Sequence, residues 1–355
     1  MAVDLKNFRY EELSAYLESI GEKSYRARQI MQWIYQKKVK DLSEISNISN
    51  DLKTKLKASC EISTLKIVTC LASRDGSQKF LFELSDGKTV ETVYMPTEDR
   101  ATLCISTQVG CRMGCTFCLT AKQGLVRQLS PSEMVNQVME VGSRVDRRMT
   151  NIVLMGMGEP LDNYESVLTA LEILQSKWGL NFSPRRITLS TVGLVPAMER
   201  LGKVSSVNLA ISLNAATDEK RSQIMPLNRK YRIKDIIEAA KRYPLKSGRR
   251  ITFEYVMLAG LNDTDEDARQ FAKLLGELRC KVNLIPFNDH HQGPYRRPSE
   301  ERIAAFQKIL VDRHITAPVR YSRGEDISAA CGQLASRGNL ITDKIRYDED
   351  QTLNK

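Results

Sequence analysis

Several features are scarce in this 355-residue chain, and each scarcity narrows what it can do. No stretch approaches the roughly 18 apolar residues that span a bilayer, so no membrane span is expected. The opening segment, MAVDLKNFRYEEL, lacks the apolar core of a signal peptide, and a cytoplasmic protein is expected. Thiols stay reduced in that compartment, so the eight cysteines do not read as a disulfide framework. There is no internal repeat and no low-complexity tract. Only Trp33 and Trp178 offer indole rings for stacking on bases, and Trp33 fits a helix core better. The three histidines, His290, His291 and His314, carry no clear role.

What is abundant is positive charge. The net charge of +10 favours a polyanionic partner such as nucleic acid, whereas 42% hydrophobic and 27% charged residues are ordinary for a globular protein. The basic runs SRVDRRM, SPRR, NRKYRIK and KSGRR suit phosphates and solvent equally well.

Residues 1–97 read as an accessory domain. YEELSAYLESIG sets Leu13, Tyr16 and Leu17 at helical spacing, and ARQIMQWIYQKK does the same for Ile30, Trp33 and Ile34. ISNDLKTKLKAS is a third helix, with Asn50 or Asp51 as its cap. A β-rich patch follows, in which QKFLFEL and KTVETVYM are separated by the turn SDGK. From residue 98 to 345 strands alternate with helices: ATLCIST, NIVLMG, RRITLST, VNLAISL, RITFEYVML, KVNLIPF and APVRYS are the strands. Ser130-Pro131-Ser132-Glu133 opens one helix with a capping box, and Asp162 is expected to cap another. The alternation predicts an α/β fold with a parallel sheet, six or seven units forming a (βα) barrel short of eight. Residues 346–355 form a tail.

In such folds ligands bind at the carboxyl ends of the strands, and the unusual residues follow the strands. CRMGCTFC, with Cys111, Cys115 and Cys118, comes after the first strand and GMGEP after the second. Ser190 and Thr191, Ser212-Leu213-Asn214, and Asn288 end later strands, and Cys331 follows the last. Three thiols in one loop suit a zinc site completed by Cys104, Cys331, His290 or His291. They equally suit a 4Fe–4S cluster with one iron left open to a ligand, where Gly114 lets the loop wrap closely and Phe117 shields it.

CRMGCTFC, with an aromatic residue just before the last cysteine, resembles the signature of radical S-adenosylmethionine (SAM) enzymes. GMGEP, STVG, SLNA, NLIPFN and DISAACGQLA narrow this to a resemblance to the RlmN/Cfr family of RNA adenosine methyltransferases, over nearly the whole chain. The resemblance implies a partial (βα)6 radical SAM barrel behind an N-terminal helical domain that binds RNA. It implies a 4Fe–4S cluster on Cys111, Cys115 and Cys118, and S-adenosyl-L-methionine on Gly158, Glu159, Ser190, Ser212, Leu213, Asn214 and Asn288. By the same resemblance Cys331 accepts a methyl group, and a radical from a second SAM turns it into an adduct with the adenine ring. Cys104 then resolves the adduct as a disulfide, and Glu91 is the proton acceptor. Strand alternation alone would point Glu91 at solvent.

The implied substrates are 23S rRNA at the peptidyl-transferase centre and the tRNA adenosine 3′ of the anticodon. The protein is expected to be a monomer served by a flavodoxin- or ferredoxin-type donor. Pro160 and Pro286-Phe287 favour methylation at C2 over the C8 chemistry of the resistance branch. Two rival readings are a non-catalytic, zinc-stabilised RNA-binding module and a radical SAM enzyme acting on protein or a small molecule.

Overall fold

The computed structural model describes residues 2–289 and 293–335. His290, His291 and the expected tail lie outside them. Strand β1 (Val3–Asp4) pairs in parallel with β2 (Cys60–Glu61). Between them run α1 (Tyr10–Ser19), α2 (Arg26–Met31) and α3 (Asn50–Ser59). Leu13, Leu17, Ile30 and Ile34 are buried as their spacing predicts, while Trp33 packs on the core only half-buried. The cap of α3 is Ser49, one residue earlier than expected, because its hydroxyl accepts from the Leu52 N–H at 3.2 Å. Lys6 docks this helical unit on the rest: fully buried, it donates to Asn136 Oδ1 (2.7 Å) and Ser63 O (2.8 Å).

Strands β3 (Lys66–Ala72), β4 (Gln78–Glu83) and β5 (Thr89–Pro96) form an antiparallel meander. β5 pairs antiparallel with β6 (Ala101–Cys104), so one sheet runs through the expected boundary at residue 97. A hairpin follows that the sequence does not announce, β7 (Gln108–Cys111) with β8 (Gly124–Gln128), enclosing the short helix α4 (Leu119–Lys122).

The alternating part then runs α5 (Pro131–Gly142), β9 (Asn151–Leu154), α6 (Tyr164–Gln175), β10 (Ile187–Thr191) and α7 (Val195–Val204). It continues through β11 (Asn208–Ser212), α8 (Asp218–Ile224), α9 (Ile233–Arg242) and β12 (Ile251–Met257). It ends with α10 (Asp265–Leu275), β13 (Cys280–Pro286) and α11 (Glu300–Val311). The sheet order is β13-β12-β11-β10-β9-β6-β5-β4-β3, and the six strands from β6 to β13 are parallel.

This is the expected (βα)6 arrangement, left open. The far edge of β6 is occupied by β5, and APVRYS contributes only one bridge, Leu284 to Val319, not a seventh strand. Asp162 does not cap α6. Its carboxylate accepts from Gln108 Nε2 and Arg112 Nε, both at 2.8 Å, which draws it toward β7 instead.

Helices on one side and barrel interior on the other bury the parallel strands on both faces, and they read as apolar runs. Leu103, Ile152, Leu189, Ile211, Phe253 and Leu284 are almost wholly buried. The polar exceptions within these strands are informative. Ser190, Ser212 and Glu254 all face one cavity at the carboxyl ends of the strands.

Candidate active site

The cavity is walled on one side by the loop between β7 and α4, which supplies Cys111, Cys115 and Cys118. Gly110 starts this loop with φ +74°, and a Cβ there would lie 1.8 Å from the Gly124 carbonyl oxygen, so only glycine permits the hairpin. The loop is tied to α8 by Thr116 N–H donating to Ile224 O at 3.0 Å. Met113, Ile224, Met225, Leu258 and Phe287 pack around Cys111 and Cys115.

In this apolar jacket burial pushes the Cys111 thiol up to about 12 and the Cys115 thiol well above its usual range. Thiolates persist there only against a strongly positive group. Among the described residues no group of three His, Cys, Asp or Glu side chains is placed to hold a single metal ion. Three thiols lining one cavity suit a cluster held through three of its irons, with the fourth left open to a ligand in that cavity.

The opposite wall carries the expected SAM residues. Glu159 is buried; its N–H donates to Gln108 Oε1 (2.8 Å), and its carboxylate accepts from the N–H groups of Leu161 (3.0 Å) and Val192 (2.9 Å). Burial raises its carboxyl to about 7. Gly158 has φ +101°, and a Cβ would sit 2.5 Å from that of Gln108. Ser190 and Ser212 both donate to one oxygen of Glu254, at 2.8 and 3.2 Å. Asn214 and Asn288 line the cavity too. Leu213 does not: its side chain is in the core, and only its backbone serves, donating to Glu254 O at 3.1 Å. Asn288 supplies the test of fit. Its Nδ2 donates to Cys331 O (3.2 Å), but its buried Oδ1 has no partner among the described residues. An orphaned acceptor in a cavity wall calls for a ligand donor, which fits a ligand bearing an amine, as SAM does.

Cys331 lines the same cavity as an exposed residue between the buried Ala330 and Gln333, and burial of its thiol against the walls pushes it up to about 11. Its segment is pinned on several sides. Leu119 N–H donates to Gly332 O (2.8 Å), Thr120 Oγ1 to Leu334 O (2.6 Å), and Lys79 Nζ to Ser328 O (3.1 Å). Cys104, at the end of β6, is buried, and its thiol is raised far above its usual range by burial and by the nearby Cys331. Glu91 is not solvent-facing as alternation suggested. It is buried, paired with Lys79 at 3.0 Å, and it accepts from the Ala335 N–H at 2.8 Å; burial raises its carboxyl. Neither Cys104 nor Glu91 lines the cavity itself.

Sequence reasoning passed over Glu254, Lys79 and Gln108. Glu254 left a signal, a carboxylate inside the apolar strand RITFEYVML; Lys79 and Gln108 left none.

Six parallel βα units with three thiols in one strand-end loop define a radical SAM protein. Residues 105–275 match the family model for the Radical SAM superfamily, and residues 3–62 that for the Ribosomal RNA large subunit methyltransferase N-terminal domain. The crystal structure of a radical SAM methyltransferase from Sphaerobacter thermophilus superposes with a TM-score of 0.88 at 46% identity, covering 94% of this chain and 100% of that one. The chain belongs to the RlmN family. It is 51% identical to the dual-specificity RNA methyltransferase RlmN of Syntrophotalea carbinolica, over 94% of this chain and 90% of that protein. It is 50% identical to that of Geobacter sulfurreducens, over 94% and 92%. Membership implies SAM and an iron–sulfur cluster as cofactors.

Proposed function

We propose that this chain methylates C2 of a specific adenosine in 23S rRNA and of the adenosine 3′ of the anticodon in tRNA. The observation that carries the reading is Cys331 lining the cavity walled by the three-cysteine loop, with Cys104 near its thiol. Cys111, Cys115 and Cys118 hold a 4Fe–4S cluster, and Gly158, Glu159, Ser190, Ser212, Asn214 and Asn288 hold SAM, with Leu213 contributing backbone alone. Together these groups supply the methyl carbon and the one-electron chemistry that an electrophilic ring carbon demands.

The chain's own residues do the rest. Cys331 carries the methyl carbon as a thioether and presents it to the base. Glu91 accepts the proton from the substituted ring carbon. Cys104, as its thiolate, attacks the sulfur of Cys331, and an S–S bond forms as the S–C bond breaks. The electron pair stays with the departing carbon, which takes up a proton to become the methyl group, and an external thiol reductant restores the two cysteines for the next cycle. Pro160 and Phe287 line the cavity, which supports the C2 assignment. The target base must leave its stack to reach this depth.

The helical unit at residues 3–62 acts as the RNA-docking accessory unit on the barrel. The protein works as a cytoplasmic monomer with a flavodoxin- or ferredoxin-type donor, and no helix among the described residues is long and apolar enough to cross a membrane.

The deciding experiment is nucleoside mass spectrometry on unmodified 23S rRNA and tRNA, incubated anaerobically with reconstituted protein, SAM and a reductant. 2-Methyladenosine is expected in both. 8-Methyladenosine would move the chain to the other branch of chemistry, and no methylated adenosine from an intact cluster would overturn the reading.

Glu159 gives SAM binding a pH signature. As a carboxylate it attracts the SAM ammonium; protonated, it does not. With its carboxyl near 7, affinity is full above that value and is lost as pH falls through it, by up to about tenfold per unit below 7. Equilibrium dialysis between pH 8 and 5.5 checks this. The dependence should flatten in Glu159→Gln.

A further inference from the structure

The run TDEKRSQ reads as a solvated helix face, yet Arg221 within it has 0% exposure. Its guanidinium spans two strand ends. Nε donates to Leu213 O (3.0 Å), and Nη2 donates to Val192 O (2.7 Å) and Ser212 O (3.4 Å). Nη1 donates to Asn228 Oδ1 (3.1 Å) and Tyr231 O (3.4 Å). All five acceptors are neutral, and among the described residues no carboxylate lies within ion-pair distance of it; Asp218, one turn back, acts on it only from longer range, its Oδ1 accepting from the Ile233 N–H at 3.0 Å. A fully buried arginine is ordinarily neutralised by a partner. Guanidinium groups do not shed their proton in proteins, so this one leaves a net positive charge inside the barrel.

That charge sits beside the three-cysteine loop. Ile224, three residues on, ends α8 on the face of Arg221, and it and the following cap residue Met225 pack with Cys111 and Cys115. Thr116 N–H is bonded to Ile224 O, and the charge of Arg221 acts on the Cys115 thiol. The two strand ends it braces are those that carry Ser190, Ser212 and Asn214.

We propose that Arg221 is a positioning residue with two effects: its fork fixes the strand-end carbonyls that frame the SAM site, and its unneutralised charge favours the reduced form of the cluster held by Cys111, Cys115 and Cys118. This rests on the assignment of those cysteines as cluster ligands. Each electron delivered by a low-potential one-electron donor adds one negative charge beside three thiolates. A fixed cation offsets that charge without taking up a proton. A unit charge acting over roughly 10 Å at an effective dielectric near 20 shifts an equilibrium by about tenfold.

The test compares the reconstituted full-length protein with Arg221→Met, Arg221→Lys and Asn228→Ala. Iron content, the reduction potential from an EPR-monitored titration, and SAM affinity are measured for each. Arg221→Met should lower the one-electron reduction constant about tenfold, or about 59 mV. Arg221→Lys keeps the charge and loses the fork, so its potential should stay near wild type while SAM binds about fivefold more weakly. Asn228→Ala loosens the same brace and should leave the potential in place. An unchanged potential in iron-replete Arg221→Met overturns the proposal. If that variant holds no iron, a tenfold fall in Arg221→Lys or Asn228→Ala overturns it instead. A wild-type protein that binds no iron refutes the cluster assignment itself, a separate failure.

Discussion

Cys331→Ala is expected to lower methyl transfer by roughly a thousandfold or more while leaving the rest of the site in order. The reason lies in how its segment is held. Most hydrogen bonds that fix the stretch from Ser328 to Ala335 use its backbone atoms: Asn288 Nδ2 to Cys331 O, Leu119 N–H to Gly332 O, Thr120 Oγ1 to Leu334 O, Lys79 Nζ to Ser328 O, and Ala335 N–H to Glu91. Gln333 Nε2 to Asp289 O and the buried side chains of Ala329 and Leu334 add to them. None depends on the sulfur. Alanine therefore removes one nucleophile from a segment that keeps its path. Iron content should equal wild type, and SAM affinity should stay within about threefold, because Glu159 is held by Leu161 and Val192, and Ser190 and Ser212 by Glu254, without Cys331. Methylated nucleoside per protein, measured beside iron and SAM binding, checks all three. Turnover at the wild-type rate would refute the role given to this thiol.

How far this site could be read in advance varied with the physics of each residue. The alternation of apolar strands with amphipathic helices is a local signal, and the order of six parallel units follows from it. The cysteine loop and the polar residues at strand ends were readable for a related reason, since parallel sheets concentrate ligands on one face. The charged residues that matter were hidden. Lys79, Glu91 and Arg221 sit in stretches whose pattern assigns them to water, and each is buried by chain outside its own element, from over 240 residues away for Lys79 and Glu91 and from the neighbouring strand ends for Arg221. Ser328 and Ala335 cover Lys79 and Glu91, while Val192 and Leu213 receive Arg221. Burial of a charge depends on such partners, and one segment of sequence does not record them.

The β7–β8 hairpin was hidden differently: arms of four and five residues, each containing a glycine, give no period to count. The approach of Cys104 and Cys331 also has a cause other than barrel closure. The sheet stays open because β5 occupies the far edge of β6. The two thiols approach because the carboxyl-terminal segment is strapped across the strand ends, where the β3–β5 meander holds it. Ser73 Oγ donates to Asp326 Oδ1 (2.6 Å), and Arg323 donates to Pro96 O (2.6 Å) and Asp75 O (2.7 Å).

Cys104→Ala is expected to stall with RNA covalently attached. Cys104 ends β6, in register with Val93 on one side and Val153 on the other, so its thiol is held by the sheet rather than by a loop. Exchanging a small buried thiol for alanine costs about 1 kcal/mol at most and leaves the sheet intact. Cys331 remains free to carry its methyl group and to join the base. What is lost is the second sulfur, without which no disulfide forms and the S–C bond has no partner to displace it. Burial raises the wild-type thiol well above its usual range, so it is expected to stay inert toward solvent oxidants. The variant should therefore complete one bond-forming event per chain and stop. Labelled RNA should run with the protein on a denaturing gel in near-stoichiometric yield, and multiple turnover should fall by roughly a hundredfold or more. Cys104→Ser should behave alike, since a hydroxyl does not resolve a thioether. Sustained turnover with no RNA-linked protein in either variant would remove Cys104 from the reaction and leave Cys331 to be resolved by a group from outside the chain.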